Sequence, residues 1–458
     1  MNYKSGDTIA AIATPAGSGG IGIVRISGPK ATQIAKKIST DKLIPRHALF
    51  TKFKNNLGIT IDQGILLYFK APNSFTGEDV IELQAHGGSA LLDTLLKTCC
   101  TFGARVANPG EFSLRAFLNE KLDLAQAESL PDLIGASTEK AVIGAANSLQ
   151  GNFSKKVNEI ARDILELRIM VEASLDFPEE EIDFLKDLKV SSRIHDLIAQ
   201  TELLKTIADE GKLLREGVTF ALAGKPNVGK SSLLNALTSS NRAIVSNIPG
   251  TTRDTIEETI QLDGIPINIV DTAGLRETDD TLERQGIART ISSISQANQA
   301  LLIFDITMFT KPEDVDPDVI LSEFNEIPME VKKTIIFNKS DLSDCSPGEI
   351  RKNGCSIFAL SALTGEGISA LKEHLKSSLT PQSDAKDDSM TARQRHIFAL
   401  EKCIETLKKS ASLFDNIGAG ELLAEDLNLC NSFLEEITGK SCSEELLTEI
   451  FSRFCIGK

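Results

Sequence analysis

Tryptophan is missing from the 458 residues and tyrosine appears only twice, which argues against an aromatic platform for stacking bases. Positive charge is also scarce: 49 Lys and Arg stand against 64 Asp and Glu, a formal net charge of −15. That balance argues against a broad, non-specific nucleic-acid surface. If RNA is a substrate, a local basic patch or a partner protein must hold it. No run of about 18 apolar residues occurs, so no membrane span is expected. The opening Met1-Asn2-Tyr3-Lys4-Ser5-Gly6-Asp7 lacks the apolar core of a signal peptide. Eight cysteines form neither C-x-x-C pairs nor a compact framework. Free thiols in a reducing cytoplasm are expected.

What is present suits a soluble globular chain, 41% hydrophobic and 25% charged. Its length allows about three domains of roughly 150 residues. The organising stretch is Gly224-Lys225-Pro226-Asn227-Val228-Gly229-Lys230-Ser231, which matches G-x-x-x-x-G-K-[ST]. Val218 to Ala223 reads as a buried strand before it, and Ser232 to Leu237 starts a helix after it. Loop amides and helix N-terminus then face one anion. Lys230 would reach the β- and γ-phosphates of a nucleotide, and the Ser231 hydroxyl would ligate Mg²⁺. A chance glycine-rich turn is the weaker account, because strand, loop and helix coincide.

Four further motifs follow in the order a guanine-nucleotide switch protein needs. Gly250-Thr251-Thr252-Arg253-Asp254 offers a Thr hydroxyl to complete the Mg²⁺ shell. Strand Pro266–Val270 delivers Asp271, Thr272, Ala273 and Gly274, a carboxylate behind Mg²⁺ and a glycine amide for the γ-phosphate. Strand Thr334–Phe337 ends in Asn338-Lys339-Ser340-Asp341, whose carboxylate can accept both N1–H and N2–H of guanine. Ser361-Ala362-Leu363 can meet guanine O6 through its backbone. After Gly274 stands Leu275, which cannot polarise water as the Gln of many small GTPases does. Glu283 is one candidate for that role, although an exposed helix carboxylate explains it more simply. Arg253 and Arg276 flank the switches without an assignable role.

Before residue 118 the pattern is α+β. Gly17, Gly19 and Gly22 satisfy G-x-G-x-x-G, but Ile23 to Ser27 continues as strand where a dinucleotide site needs a helix. By spacing alone Arg25 reads as a solvated edge charge rather than an anion clamp. Strands are expected at Ile65–Phe69 and Asp79–Ala85, a helix capped by Ser89 after them, and a simple turn at His86. From Phe117 to Glu216 the pattern is helical, with Ile160, Ile164, Leu167, Ile169 and Val171 at three- and four-residue intervals. An acidic bend interrupts it at Asp176–Glu181. Beyond the polar linker 379–388, helical patterning resumes from about Thr391 to Phe454. This suggests a helical domain, 119–216 with 381–458, into which a nucleotide domain at 217–380 is inserted.

The assembled chain resembles the MnmE (TrmE) family of tRNA-modification GTPases over essentially its full length. Carrying the resemblance are Gly19-Gly20-Ile21-Gly22-Ile23-Val24-Arg25, Pro72 to Glu82, Pro109 to Phe112, Arg115 to Asn119, Lys121 to Glu128, the switch motifs and the closing Cys455-Ile456-Gly457-Lys458. It implies a multidomain α/β and α protein: an α+β tetrahydrofolate-binding, dimerising domain at 1–118, a helical domain, and an inserted Ras-like P-loop domain. The resemblance implies folate contacts at Arg25, Glu82, Lys121 and Lys458, reversing the edge-charge reading of Arg25. Nucleotide contacts are implied at Asn227, Val228, Gly229, Lys230, Ser231 and Ser232, at Ser246, Asn247, Ile248, Pro249, Gly250, Thr251 and Thr252, and at the later motifs. Mg²⁺ is expected on Ser231 and Thr252, and K⁺ on Asn227, Ser246, Ile248 and Thr251. K⁺ would take the place of an arginine finger, and Glu283 would orient the water.

Cys455, which pattern alone assigns to packing, is implied near the folate, needed for modification but not for GTP hydrolysis. The implied activity is modification at C5 of the wobble uridine, using a 5-formyl- or methylene-tetrahydrofolate carbon. The implied partners are a second copy, tRNA and the FAD-containing MnmG (GidA), the last as a heterotetramer. A GTP-dependent RNA or ribosome assembly factor without covalent chemistry is the alternative, and an ATP-driven enzyme is another.

Overall fold

The computed structural model describes residues 6–176, 189–238, 258–262, 264–271, 297–309, 315–322, 324, 327–328, 331–352, 355–379, 389–417 and 420–457. The chain divides into two compact units. One comprises Met1–Pro131, Ser148–Glu202 and Phe398–Lys458, the other Asp132–Asn147 and Leu203–Ile397.

The first unit holds a six-stranded sheet of order β3-β4-β5-β2-β1-β6. Its strands are β1 (Ile9–Ile12), β2 (Gly19–Ser27), β3 (Leu49–Lys54), β4 (Thr60–Phe69), β5 (Val80–Gly87) and β6 (Arg105–Val106). Side chains alternate between faces along each strand. Val24, Ile26, Leu66, Ile81 and Leu83 share one face, where helices Ala31–Ile38 and Ser89–Thr101 bury them through Ile34, Ile38, Leu92 and Leu95. Ile9 and Ala11 face the other way, onto Phe112 of helix Glu111–Leu118. Arg25 and Ser27 lie on this second face, since Ala11 pairs with Arg25 and Ile9 with Ser27. The glycine run lies in or beside strand, with a register shift between Gly19 and Gly22, and no helix follows it. Two expectations fail here. The helix that follows β5 is capped by Gly88, with Ser89 as its first residue. His86 sits in β5 and is no turn residue; its Nδ1 lies 2.9 Å from Asp62 Oδ1.

An ionic network around the buried Arg115 joins the Arg25 face through Ser27. Arg115 is fully buried and bonds Asp7, Glu78 at 3.0 Å and Glu111 at 3.0 Å. Arg105 meets Asp7 at 2.8 Å and Glu111 at 2.7 Å. Glu78 also accepts the Ser27 hydroxyl at 2.7 Å, which ties the loop after Pro72 to β2. Burial raises the pKa of Asp7 and Glu111, but the two guanidinium groups outweigh it and hold both carboxyls below their ordinary values. Their stabilisation is therefore complete above about pH 4, the unfolded range, and fades as pH falls through the depressed folded values. We expect circular dichroism to report loss of structure below about pH 4 that shrinks when Asp7 is replaced by Asn. An acid transition identical in both proteins would contradict this.

Helices Asn152–Asp176 and Gly420–Thr438 pack against each other in the same unit. Phe153, Val157, Ile160, Ile164, Leu167 and Val171 alternate four- and three-residue steps and are all buried, as are Leu423, Leu427, Cys430, Leu434 and Ile437. That is the seam spacing of paired helices. Ile169 breaks it, two residues from Leu167 and from Val171, and is 56% exposed; its expected place in the core is corrected. Helix Glu444–Ser452 starts where Ser443 accepts the amide of Leu446 at 3.2 Å.

The second unit is built on a seven-stranded sheet of order β12-β13-β11-β10-β7-β9-β8. Its strands are β7 (Val218–Ala223), β8 (Glu258–Leu262), β9 (Ile265–Asp271), β10 (Gln299–Asp305), β11 (Lys332–Asn338), β12 (Gly348–Lys352) and β13 (Cys355–Ala359). Only β8 and β12 run antiparallel to their neighbours. Phe220, Leu222, Leu301, Ile303 and Ile336 fill one face, and Ala221, Leu302, Phe304, Ile335 and Phe337 the other. Burial on both faces explains the near-continuous apolar runs of β7, β10 and β11. In such sheets ligands meet the carboxyl ends of the parallel strands.

Candidate functional site

Three of the motifs converge at those carboxyl ends. β7 runs into the glycine loop, and helix Lys230–Thr238 leaves it. Asn227 and Gly229 take left-handed backbone, φ 63° and 96°. A Cβ on Gly229 would overlap the Asn338 side-chain nitrogen, so glycine is required by both torsion and space. Asn338 is 2% exposed. Its amide donates to the Val228 carbonyl at 2.8 Å and its oxygen accepts the Ala362 amide at 2.9 Å. One buried side chain thus ties the phosphate loop, the Asn338–Asp341 motif and the Ser361–Leu363 motif together. Lys230 Nζ donates to the Gly224 carbonyl at 2.8 Å. The Ser361 hydroxyl donates to Asp341 Oδ1 at 2.5 Å, which orients that carboxylate. A cleft of about 600 Å³ lies next to the third motif, lined in part by Ser232, Ala362 and Leu363.

Asp305 was not signalled by any motif. It closes β10 opposite Asn338 of β11 and accepts from Lys339 Nζ at 2.6 Å, from the Thr307 amide at 3.0 Å and from the Thr307 hydroxyl at 2.7 Å. Burial would raise its pKa, yet Lys339 and Thr307 hold it below the ordinary carboxylate value. An acidic residue ending the strand next to the Asn338–Asp341 strand was the available signal. Asp271 ends β9 in the backbone. Ser246, Asn247, Ile248, Pro249, Gly250, Thr251, Thr252, Thr272, Ala273, Gly274, Glu283 and Lys458 lie outside the described residues.

In the first unit Arg25 pairs with Glu82, directly opposite it on β5. Nε and Nη2 lie 2.9 and 2.8 Å from Glu82 Oε1, and the side chains are 23% and 14% exposed. β2 lies between β5 and β1, so Arg25 is an interior-strand residue and the edge-charge reading is corrected. Its guanidinium carbon lies 5.9 Å from the Phe75 ring centre and 5.8 Å from that of Phe112. Arg25 Nη1 also reaches the Gly457 carbonyl at 3.4 Å. Gly457, φ 93°, rests against β1 so closely that a Cβ would overlap the Ile12 carbonyl. Phe451 and Phe454 anchor this tail among Leu114, Leu124 and Ala127, and the Cys455 carbonyl accepts the Gly110 amide at 3.3 Å. Cys455 itself is exposed, unlike the buried Cys99, Cys403 and Cys430. Lys121 is exposed after helix Glu111–Leu118.

Residues 124–455 match a family model described as the MnmE helical domain, and residues 8–121 match the GTP-binding protein TrmE N-terminus. The tRNA modification GTPase MnmE of Actinobacillus succinogenes is 50% identical over 454 residues, covering 99% of this chain and 100% of that one. The chain belongs to the MnmE family. Its counterpart from Pasteurella multocida is 49% identical, again over 99% of this chain and 100% of that one. Among solved structures, Era of Aquifex aeolicus bound to GDP and AlF4⁻ aligns with 41% of this chain and 66% of that one at 25% identity. Its TM-score of 0.27 adds nothing to the full-length relatives. As an MnmE-family protein the chain is a GTP-binding GTPase of tRNA modification, with a TrmE N-terminal domain, a helical domain and a P-loop GTPase domain. No helix among the described residues is long and apolar enough to cross a membrane.

Proposed function

We propose that this GTPase is K⁺-stimulated and acts as a cytoplasmic homodimer with the FAD-containing MnmG. Together they would add an aminomethyl or carboxymethylaminomethyl group to C5 of the wobble uridine of certain tRNAs. The supporting observation is that Arg25, paired with Glu82, reaches the Gly457 carbonyl at 3.4 Å, two residues beyond the exposed Cys455. In this reading the domains run 1–118, 119–216 with 381–458, and 217–380.

A partly buried guanidinium between two phenyl rings suits a carboxylate and an aromatic body. The Arg25–Glu82 pair would meet one end of a tetrahydrofolate derivative, Glu82 accepting the N–H groups of its pterin edge, and Lys121 and Lys458 would add further contacts. When bound, the folate supplies the one-carbon unit.

At the other site the amides of Asn227 to Ser231 and the Lys230 ammonium would hold the phosphates. Ser231 and Thr252 would ligate Mg²⁺, with the Asp271 carboxylate behind them. Asn227 is exposed at the rim of its loop, where it would hold K⁺ together with Ser246, Ile248 and Thr251. Glu283 would orient the attacking water.

Two measurements test the reading. GTP turnover is expected to fall at least about tenfold when K⁺ is replaced by Na⁺, the loss of one well-placed positive charge. Calorimetry is expected to show 5-formyl-tetrahydrofolate binding that Arg25→Met weakens. Equal turnover in both salts would remove the K⁺ role, and no heat at millimolar folate would remove the one-carbon role.

A further inference from the structure

Lys339 takes a left-handed backbone, φ 68° and ψ 39°, which costs a non-glycine residue about 1 kcal/mol or more. It lies between Asn338, whose amide is fixed at both ends, and Asp341, which in the proposed reading meets the guanine. Ser340 donates its amide to the Leu360 carbonyl at 3.1 Å and so fixes the far side of the turn. What holds Lys339 itself is a carboxylate on the neighbouring strand. We infer that Asp305 is a positioning residue for the guanine site, acting through Lys339 with the help of Thr307.

Three observations carry this inference. Asp305 and Asn338 are register partners at the ends of two parallel strands, so the carboxylate is set by the sheet and not by a loop. Its side chain is 12% exposed and that of Lys339 32%, a setting in which a charge-assisted hydrogen bond of 2.6 Å outweighs a surface ion pair. Asp305 caps the short 3₁₀ turn Ile306–Met308, and both the amide and the hydroxyl of Thr307 within it bond Asp305 Oδ1. That leaves Oδ2 aimed at the lysine. A carboxylate fixed this way neutralises the Lys339 charge and locks the left-handed residue. Asn338 and Asp341 then stand ready before nucleotide arrives, and less ordering remains to be done on binding.

The full-length protein is titrated with a fluorescent GDP analogue. Asp305→Asn is expected to weaken GDP binding roughly tenfold, the loss of one charge-assisted bond, while kcat at saturating GTP changes less than about twofold. In a Lys339→Met background the same substitution is expected to add no further loss. Thr307→Val, a milder change, is expected to weaken GDP about threefold and likewise to lose its effect in that background; it decides the matter if Asp305→Asn does not fold. Full additivity with Lys339→Met, or unchanged GDP affinity in the single variants, would overturn the inference.

Discussion

Cys455→Ser is expected to lower wobble-uridine modification by more than about a hundredfold while GTP turnover stays within about twofold. The thiol is exposed, so exchanging it for a hydroxyl removes no core packing. What anchors the tail is the main chain and its neighbours: the Cys455 carbonyl on the Gly110 amide, Phe451 and Phe454 in their apolar cluster, and the Gly457 carbonyl on Arg25. None of these is touched by the substitution. GTP turnover is handled in the other compact unit, which contains no residue of the tail. Mass spectrometry of tRNA nucleosides from cells carrying only the variant reads the first quantity, and phosphate release by the purified protein reads the second. Wild-type levels of the modified nucleoside would show that the thiol is a spectator.

Asp341→Asn is expected to weaken GTP binding by at least about a hundredfold and to favour xanthosine triphosphate in competition. A site built to pair with a base edge rejects a mismatch strongly, because a buried donor or acceptor is left without its partner. Ser361 already fixes one oxygen of the carboxylate. An amide there would present a donor where guanine also has a donor, whereas the C2 carbonyl of xanthine can accept it. Competition between the two nucleotides for the purified protein measures this. GTP preference unchanged in the variant would mean that Asp341 does not read the base.

The motifs were legible wherever the chemistry is local. Gly229 is demanded by its own torsion, the phosphate loop by the strand before it and the helix after it, and the strand after Gly22 by its β-branched run. Long-range placement was less so. Arg25 reads as an edge charge because its neighbours in sequence say nothing of β1 and β5 on either side of it. Asp305 has no motif, since its partner is set by strand register across more than thirty residues. Ile169 failed because it was grouped with residues three and four apart although it stands two from each neighbour; the buried seam alternates four and three from Phe153 to Val171 and leaves no place for it. Ser89 resembles a cap, but Gly88 already has the extended backbone the cap needs. Leu49–Lys54 carries Thr51 and Lys52 between its two phenylalanines, and it is pairing with β4 that makes it a strand.

The contact between Arg25 and Gly457 joins residues 432 positions apart. During synthesis the sheet that bears the arginine emerges first, and the glycine that meets it follows 432 residues later. On a chain that stops short of Gly457, Arg25 therefore lacks one of its partners and keeps only Glu82 and the flanking rings.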